Sequence, residues 1–104
     1  MASTIDWEGA SGKKYRYEIH PMSASFVAKA GNYVFAKETN PGYWAPVYIG
    51  QTENLSERFD SHHKIDAARR NGATHIHAHL NPYKSDRLDE ETDLVRRWNP
   101  PCND

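Results

Sequence analysis

Two runs rich in Val, Tyr and Phe, "GNYVFAK" (Gly31 to Lys37) and "VYIGQT" (Val47 to Thr52), restrict the fold of this chain most. β-branched and aromatic residues pack well on a pleated, half-buried surface. Between them "TNPGYWAP" (Thr39 to Pro46) holds a Pro-Gly turn signal. The pair is therefore expected as a β-hairpin with a long loop, its strands at Asn32–Lys37 and Val47–Thr52. Each strand sets a glycine near a tyrosine: Gly31 before Tyr33, Gly50 after Tyr48. Glycine inside a strand marks a bulge or a close backbone approach, and a buried tyrosine hydroxyl needs a partner.

The remaining elements follow from periodicity. "KYRYEIH" (Lys14 to His20) alternates, with Tyr15, Tyr17 and Ile19 on one side, and reads as a strand ended by Pro21. The stretch from Ser25 to Glu38 reads as one or two strands hinged near Gly31. "ENLSERFDSHHKIDAARRNG" reads as helix, and a break near Ser61–Lys64 would make two short helices of it. Asn54 suits its N-cap, with Glu57 as capping-box partner. Gly72 stands at its end, behind Arg69 and Arg70. "THIHAHL" (Thr74 to Leu80) alternates again and reads as a core strand closed by Pro82. A last helix runs from about Ser85 to Trp98 and stops at "NPPCND". Residues 1–13 read as a mobile tail whose removal leaves stability unchanged, whereas deletion through His20 lowers it. The order implies an α+β fold over residues 14–104, a single domain. It has a small, mainly antiparallel three-stranded central sheet with an additional N-terminal strand, flanked by helices.

The last helix poses a chemical question. At about 100° per residue, Leu88, Leu94, Val95 and Trp98 fall on one side, and Glu91 falls among them. An unpaired buried carboxylate costs several kcal/mol or more. A basic side chain, a set of donors or a metal ion should meet it.

Other constellations carry weaker signals. Arg58 and His62 form an i, i+4 pair at the border of the apolar stripe begun by Leu55 and Phe59. An arginine there reaches a carboxylate or a phosphate, or is simply solvated. Tyr33 and Tyr48 are by themselves read as core residues. His75, His77 and His79 project from one strand face, but no cysteine cluster accompanies them, so a sheet-packed row is preferred to a zinc site. The formal net charge of −1 announces no nucleic acid, though it leaves a local basic face open. No run approaches the roughly 20 apolar residues of a membrane-spanning helix, and the N-terminus shows no signal-peptide apolar region. One cysteine, Cys102, leaves no internal disulfide, which favours a reducing cytoplasm.

Gly31-Asn32-Tyr33 followed by Tyr48-Ile49-Gly50 resembles the paired motif of the GIY-YIG nucleases. "YIGQTENLSERF" is similar to the second motif and the helix after it, with Arg58 at the family's arginine position and His62 one turn later. "ETDLVRRWNPPCN" resembles the closing segment, a metal-binding glutamate followed by a helix and a terminal asparagine. The match runs from about Gly31 to Asn103. Five elements in the family's order are a specific signal. The resemblance implies a metal-dependent endonuclease that hydrolyses phosphodiester bonds in DNA, with RNA left open. It assigns Glu91, rather than Glu90, to a divalent ion, Mg²⁺ or Mn²⁺. It further implies Arg58 on the nonbridging oxygens, Tyr33 and Tyr48 on water or phosphate, and His62 as a phosphate contact or proton relay. Gly31, Gly50 and Asn103 support the site, Asn103 by bonding backbone groups.

Three departures matter. Asn32 replaces the usual Ile and, facing away from the site, is expected to have little effect. Gln51 stands where some members have a lysine, which bears on how the tyrosine is activated. The loop between the motifs is longer than usual, and its Tyr43 and Trp44 stack on a base or cover the sheet edge. The alternative reading is a nucleic-acid-binding or partner-binding module with this fold and little turnover. Under either reading a protein partner or a homodimer is a candidate for targeting.

Overall fold

The computed structural model describes residues 4–59 and 64–103, Arg58 through its backbone alone. Five strands form one sheet in the order β1-β2-β5-β3-β4, every neighbouring pair antiparallel. The strands are β1 (Thr4–Glu8), β2 (Lys14–Pro21), β3 (Gly31–Asn40), β4 (Tyr43–Thr52) and β5 (His75–Leu80). The helices are α1 (Leu55–Arg58), α2 (Ile65–Arg70) and α3 (Lys84–Trp98).

β3 lies inside the sheet and is buried from Gly31 to Ala36, so its two faces feed two cores. Tyr33 and Phe35 join Leu55 of α1 and Ala68 of α2, with Ile76 and Ala78 beside them. Val34 and Ala36 join Ile49, Leu94 of α3, Trp7 and Tyr17. The period-2 alternation of a strand produces this division directly.

The hairpin is longer than the sequence suggests. β3 and β4 pair out to Asn40 and Tyr43, and only Pro41 and Gly42 turn, with Gly42 at φ +83°. The expected long loop is thus mostly strand, because Tyr43 and Trp44 are themselves strand formers. Trp44 packs edge-on against His75 and His77, at 4.8 and 4.6 Å between centroids, while Tyr43 remains exposed. Pro46 is accommodated because β4 is an edge strand. A register shift follows, between Phe35↔Tyr48 and Ala36↔Pro46.

Residues 4–8 correct a second expectation. Rather than belonging to a mobile tail, they form β1, in register Ile5↔Tyr17 and Trp7↔Tyr15. Trp7 is 3% exposed and donates its Nε1–H to His77 Nδ1 at 3.0 Å. The β1–β2 turn is tied to α3: Asp93 accepts from the Ser11 amide at 2.9 Å, the Ser11 hydroxyl at 2.7 Å and the Tyr15 hydroxyl at 2.8 Å. Trp98 Nε1 donates to the Glu8 carbonyl at 2.9 Å. The segment before β3, from residue 24 to 30, forms no strand, so β3 begins at Gly31.

α1 starts where Asn54 was expected to cap it, its side-chain oxygen accepting the Ser56 amide at 3.0 Å. Glu57 bonds the Asn54 side-chain amide at 2.6 Å, so the reciprocal capping contact is side chain to side chain. Gly72, at φ +94°, ends α2 behind Arg69 and Arg70.

The histidine row is packed against the sheet. His75 bonds the Thr74 hydroxyl at 2.8 Å, His77 is fully buried between Trp7 and Trp44, and His79 bonds Glu90. Since His77 Nδ1 accepts from Trp7, the neutral ring carries its proton on Nε2. Burial, and then the charges of His75 and His20, push the His77 pKa down from 6.5 to about 3.

Two measurements test these contacts. Trp7→Ala is expected to lower unfolding free energy by about 3–5 kcal/mol in denaturant titrations, which also makes deletion through Lys13 destabilising. Between the ordinary His value of 6.5 and about 3, the unfolded chain binds the His77 proton and the native one does not. Native stability therefore falls as pH falls through that window, by up to about 1.4 kcal/mol per unit. His77→Gln, which keeps an acceptor for Trp7, should lose less on acidification from neutral pH to pH about 4.

Candidate active site

The two glycines of the hairpin are explained by what a Cβ would strike. At Gly50 it would lie 2.6 Å from Cζ and Oη of Tyr33 and 3.0 Å from the Tyr48 ring. At Gly31 it would lie 2.3 Å from the His79 carbonyl oxygen and 2.9 Å from Leu55 Cδ1. The register Tyr33↔Gly50 thus lets the Tyr33 ring lie flat across the neighbouring strand. Tyr33 is fully buried, with ring centroids 5.4 Å from Phe35, 6.1 Å from Tyr48 and 5.1 Å from Phe59, the last edge-on. Tyr48 is half-buried beside it. The tyrosines, Gly50 and the residue after Arg58 are therefore gathered on one face. Arg58 itself ends α1 on that face, its side chain outside the description, and His62 lies outside the described residues.

Glu91 belongs to α3, on the opposite face. It is half-buried and lines a cavity of about 700 Å³ with Thr92, Val95, Arg96, Asn99 and Asn103. Neither tyrosine lines that cavity. What connects the two groups is Asn103. Its Oδ1 accepts the Ile49 amide and its Nδ2 donates to the Ile49 carbonyl, both at 2.7 Å. The Cys102 amide adds a bond to the Val47 carbonyl at 3.0 Å. One asparagine side chain thus pairs with the edge of β4 as a strand would. Ile49 lies between Tyr48 and Gly50, so the tyrosine strand and the Glu91 cavity share a wall.

The apolar stripe assigned to the last helix is shifted. Leu88, placed on the core side from sequence, is 41% exposed, and the fully enclosed carboxylate is Glu90, at 4%. The buried face runs Arg87, Glu90, Leu94. Its i, i+3, i+7 spacing is visible in the sequence, but two of its three residues are charged, which conceals it. Glu90 Oε2 accepts the Tyr17 hydroxyl and lies 2.6 Å from His79 Nε2. A carboxylate only accepts, so Nε2 bears the proton there. Burial, then the Glu90 charge, hold the Tyr17 hydroxyl well above the usual phenol range. Arg87, 2% exposed, donates Nε to Gln51 Oε1 at 3.0 Å and Nη1 to the Asn81 carbonyl at 2.9 Å. Gln51 therefore turns toward α3 and away from the tyrosines.

The donor set at Glu91 can be judged against a cation. Among the described residues no three His, Cys, Asp or Glu side chains converge on one point. Glu91 offers hard oxygens in a roomy, open cavity. That suits an ion that keeps most of its water and takes one carboxylate, as Mg²⁺ does, and does not suit zinc.

No protein-family model matches the chain, and no curated protein matches it. Among solved structures it is similar to the GIY-YIG N-terminal endonuclease domain of UvrC from Thermotoga maritima, a crystal structure bound to its catalytic divalent cation, magnesium. The likeness has a TM-score of 0.60 at 21% identity and covers 75% of this chain and 86% of that one. The chain has the GIY-YIG fold.

Gly50→Ala should displace the Tyr33 ring, because the added methyl meets a buried ring held on all sides. Overpacking of this kind costs about 1–3 kcal/mol, readable as a lowered midpoint in urea and a changed near-ultraviolet tyrosine spectrum.

Proposed function

We propose that this GIY-YIG fold is a metal-dependent endonuclease that hydrolyses phosphodiester bonds in DNA. The observation that carries the reading is the Asn103 clamp. It fastens the strand of Tyr48 and Gly50 to the rim of the cavity that Glu91 lines. The magnesium in the solved endonuclease domain adds support by analogy of fold.

In this reading Glu91 holds Mg²⁺ or Mn²⁺, which when bound polarises the phosphate and stabilises the leaving oxygen. Glu91 supplies the single protein carboxylate, and its half-burial limits the rotamers it can adopt. Arg58 donates to the nonbridging oxygens, where negative charge builds as water attacks phosphorus. Tyr33 is fixed by Gly50 and Phe59, and its hydroxyl orients the attacking water when the site opens around this buried ring on binding substrate. A phenol with a reference pKa of about 10 is a poor base at neutral pH, so orientation is its first task. Tyr48 positions water or phosphate beside it, and His62 contacts phosphate or passes on a proton. Asn103 keeps β4 and the chain around it in register and touches no reacting atom.

Cleavage of plasmid DNA and of matched DNA and RNA oligonucleotides, with Mg²⁺, Mn²⁺ or chelator, tests the proposal. Wild type should cut DNA only with metal. Glu91→Gln should cut at least roughly 100-fold more slowly, since several kcal/mol of charge stabilisation are lost. Arg58→Ala should fall by about 10²–10³. Equal cutting by all three proteins would remove the site; no cutting by wild type on any substrate would leave a binding module.

A further inference from the structure

The position where the chain departs from the GIY pattern is not idle. Asn32 is fully buried and its Nδ2 donates to the Arg87 carbonyl at 3.0 Å. In an α-helix that same carbonyl faces the amide of the residue four further on, which here is Glu91. The Arg87 side chain, also buried, returns to the sheet through Gln51 and to the β5–α3 connection through Asn81. Among the described residues both of its acceptors are neutral, and it makes no salt bridge. Asn32 and Gln51 are opposite each other in the β3–β4 ladder. One turn of α3 is therefore bolted to two facing residues of the hairpin by directional bonds.

We infer that Asn32, Gln51 and Arg87 are positioning residues that fix the height and rotation of α3 over the hairpin, and so set where the Glu91 carboxylate meets its metal ion. This rests on the assignment of Glu91 given above. Glu90, Asp93 and Trp98 tie α3 to β1, β2, β5 and the β1–β2 turn, while Asn32 and Arg87 supply its side-chain ties to the β3–β4 hairpin. Hydrogen bonds lose strength steeply when their partners are displaced. The residues hold no metal themselves and touch no substrate. They act through the helix backbone, as outer partners of a metal ligand do.

Asn32 also makes the idea testable apart from stability. Its Oδ1 is buried with no partner among the described residues. Asn32→Leu removes one bond together with one unsatisfied atom, so its net effect on stability is small. The probe is Mn²⁺ alone, titrated into the protein and followed by electron paramagnetic resonance, beside thermal melts and the Mg²⁺ dependence of cleavage. Asn32→Leu should weaken Mn²⁺ binding by roughly 10–100-fold with melting temperature nearly unchanged; Gln51→Leu, which takes an acceptor from the buried Arg87, should weaken it as much and also lower the melting temperature. The Mg²⁺ needed for half-maximal cleavage should rise in step. Arg87→Lys, which restores one donor without the planar fork, should fall between wild type and Arg87→Met. Wild-type Mn²⁺ affinity in Asn32→Leu and Gln51→Leu, with affinity lost in Glu91→Gln, would overturn this inference and leave the nuclease assignment standing. Affinity losses that merely track melting temperature would overturn it too. Unchanged Mn²⁺ binding in Glu91→Gln would instead remove the assignment of Glu91 and the inference with it.

Discussion

The underside of α3 carries two buried charged side chains one turn apart, and the arrangement of the molecule depends on how they are met. A charge withdrawn from water must find partners or it destabilises the fold by several kcal/mol. Arg87 finds its partners on β4 and in the β5–α3 connection. Glu90 finds its partners on β2 and β5. Together the two sets draw on β2, β4, β5 and the β5–α3 connection. A displacement of any of these elements from under the helix would leave a buried ion unmatched.

The two faces of β3 then divide the labour. Aromatic rings dominate one, where Tyr33, Phe35, Tyr48 and Phe59 support one another. Polar anchors dominate the other, where the tryptophans and His77 close the gaps. A ring cluster tolerates small motions of its members, while a hydrogen-bonded face defines one geometry.

How much of this was legible in the sequence depended on period and on distance along the chain. The Val, Tyr and Phe content exposed β3 and β4, and the alternation in "KYRYEIH" and "THIHAHL" exposed β2 and β5. Asn54 and Gly72 marked helix ends through local chemistry. β1 escaped because Ile5 and Trp7 alternate with Asp6 and Glu8 for only five residues. The face of α3 escaped because Arg87 and Glu90 sit where apolar residues were sought, which drew Leu88 wrongly to the inside. Gln51 stands at a position where some GIY-YIG members have a lysine, yet strand parity turns its side chain toward α3. The links from Asn32 to Arg87 and from Asn103 to Ile49 span 55 and 54 positions, and no local pattern encodes either pairing.

The asparagine near the chain's end has a consequence beyond the site. An outer strand offers unsatisfied amides and carbonyls, an invitation to foreign chains that natural sheets blunt with prolines, charges or coverings. β4 uses two of these devices side by side: Pro46 withholds a donor, and Asn103 with Cys102 occupies Val47 and Ile49. The same few atoms that hold the hairpin against its neighbour also keep it from recruiting a stranger, so self-association and local geometry at this edge are governed together.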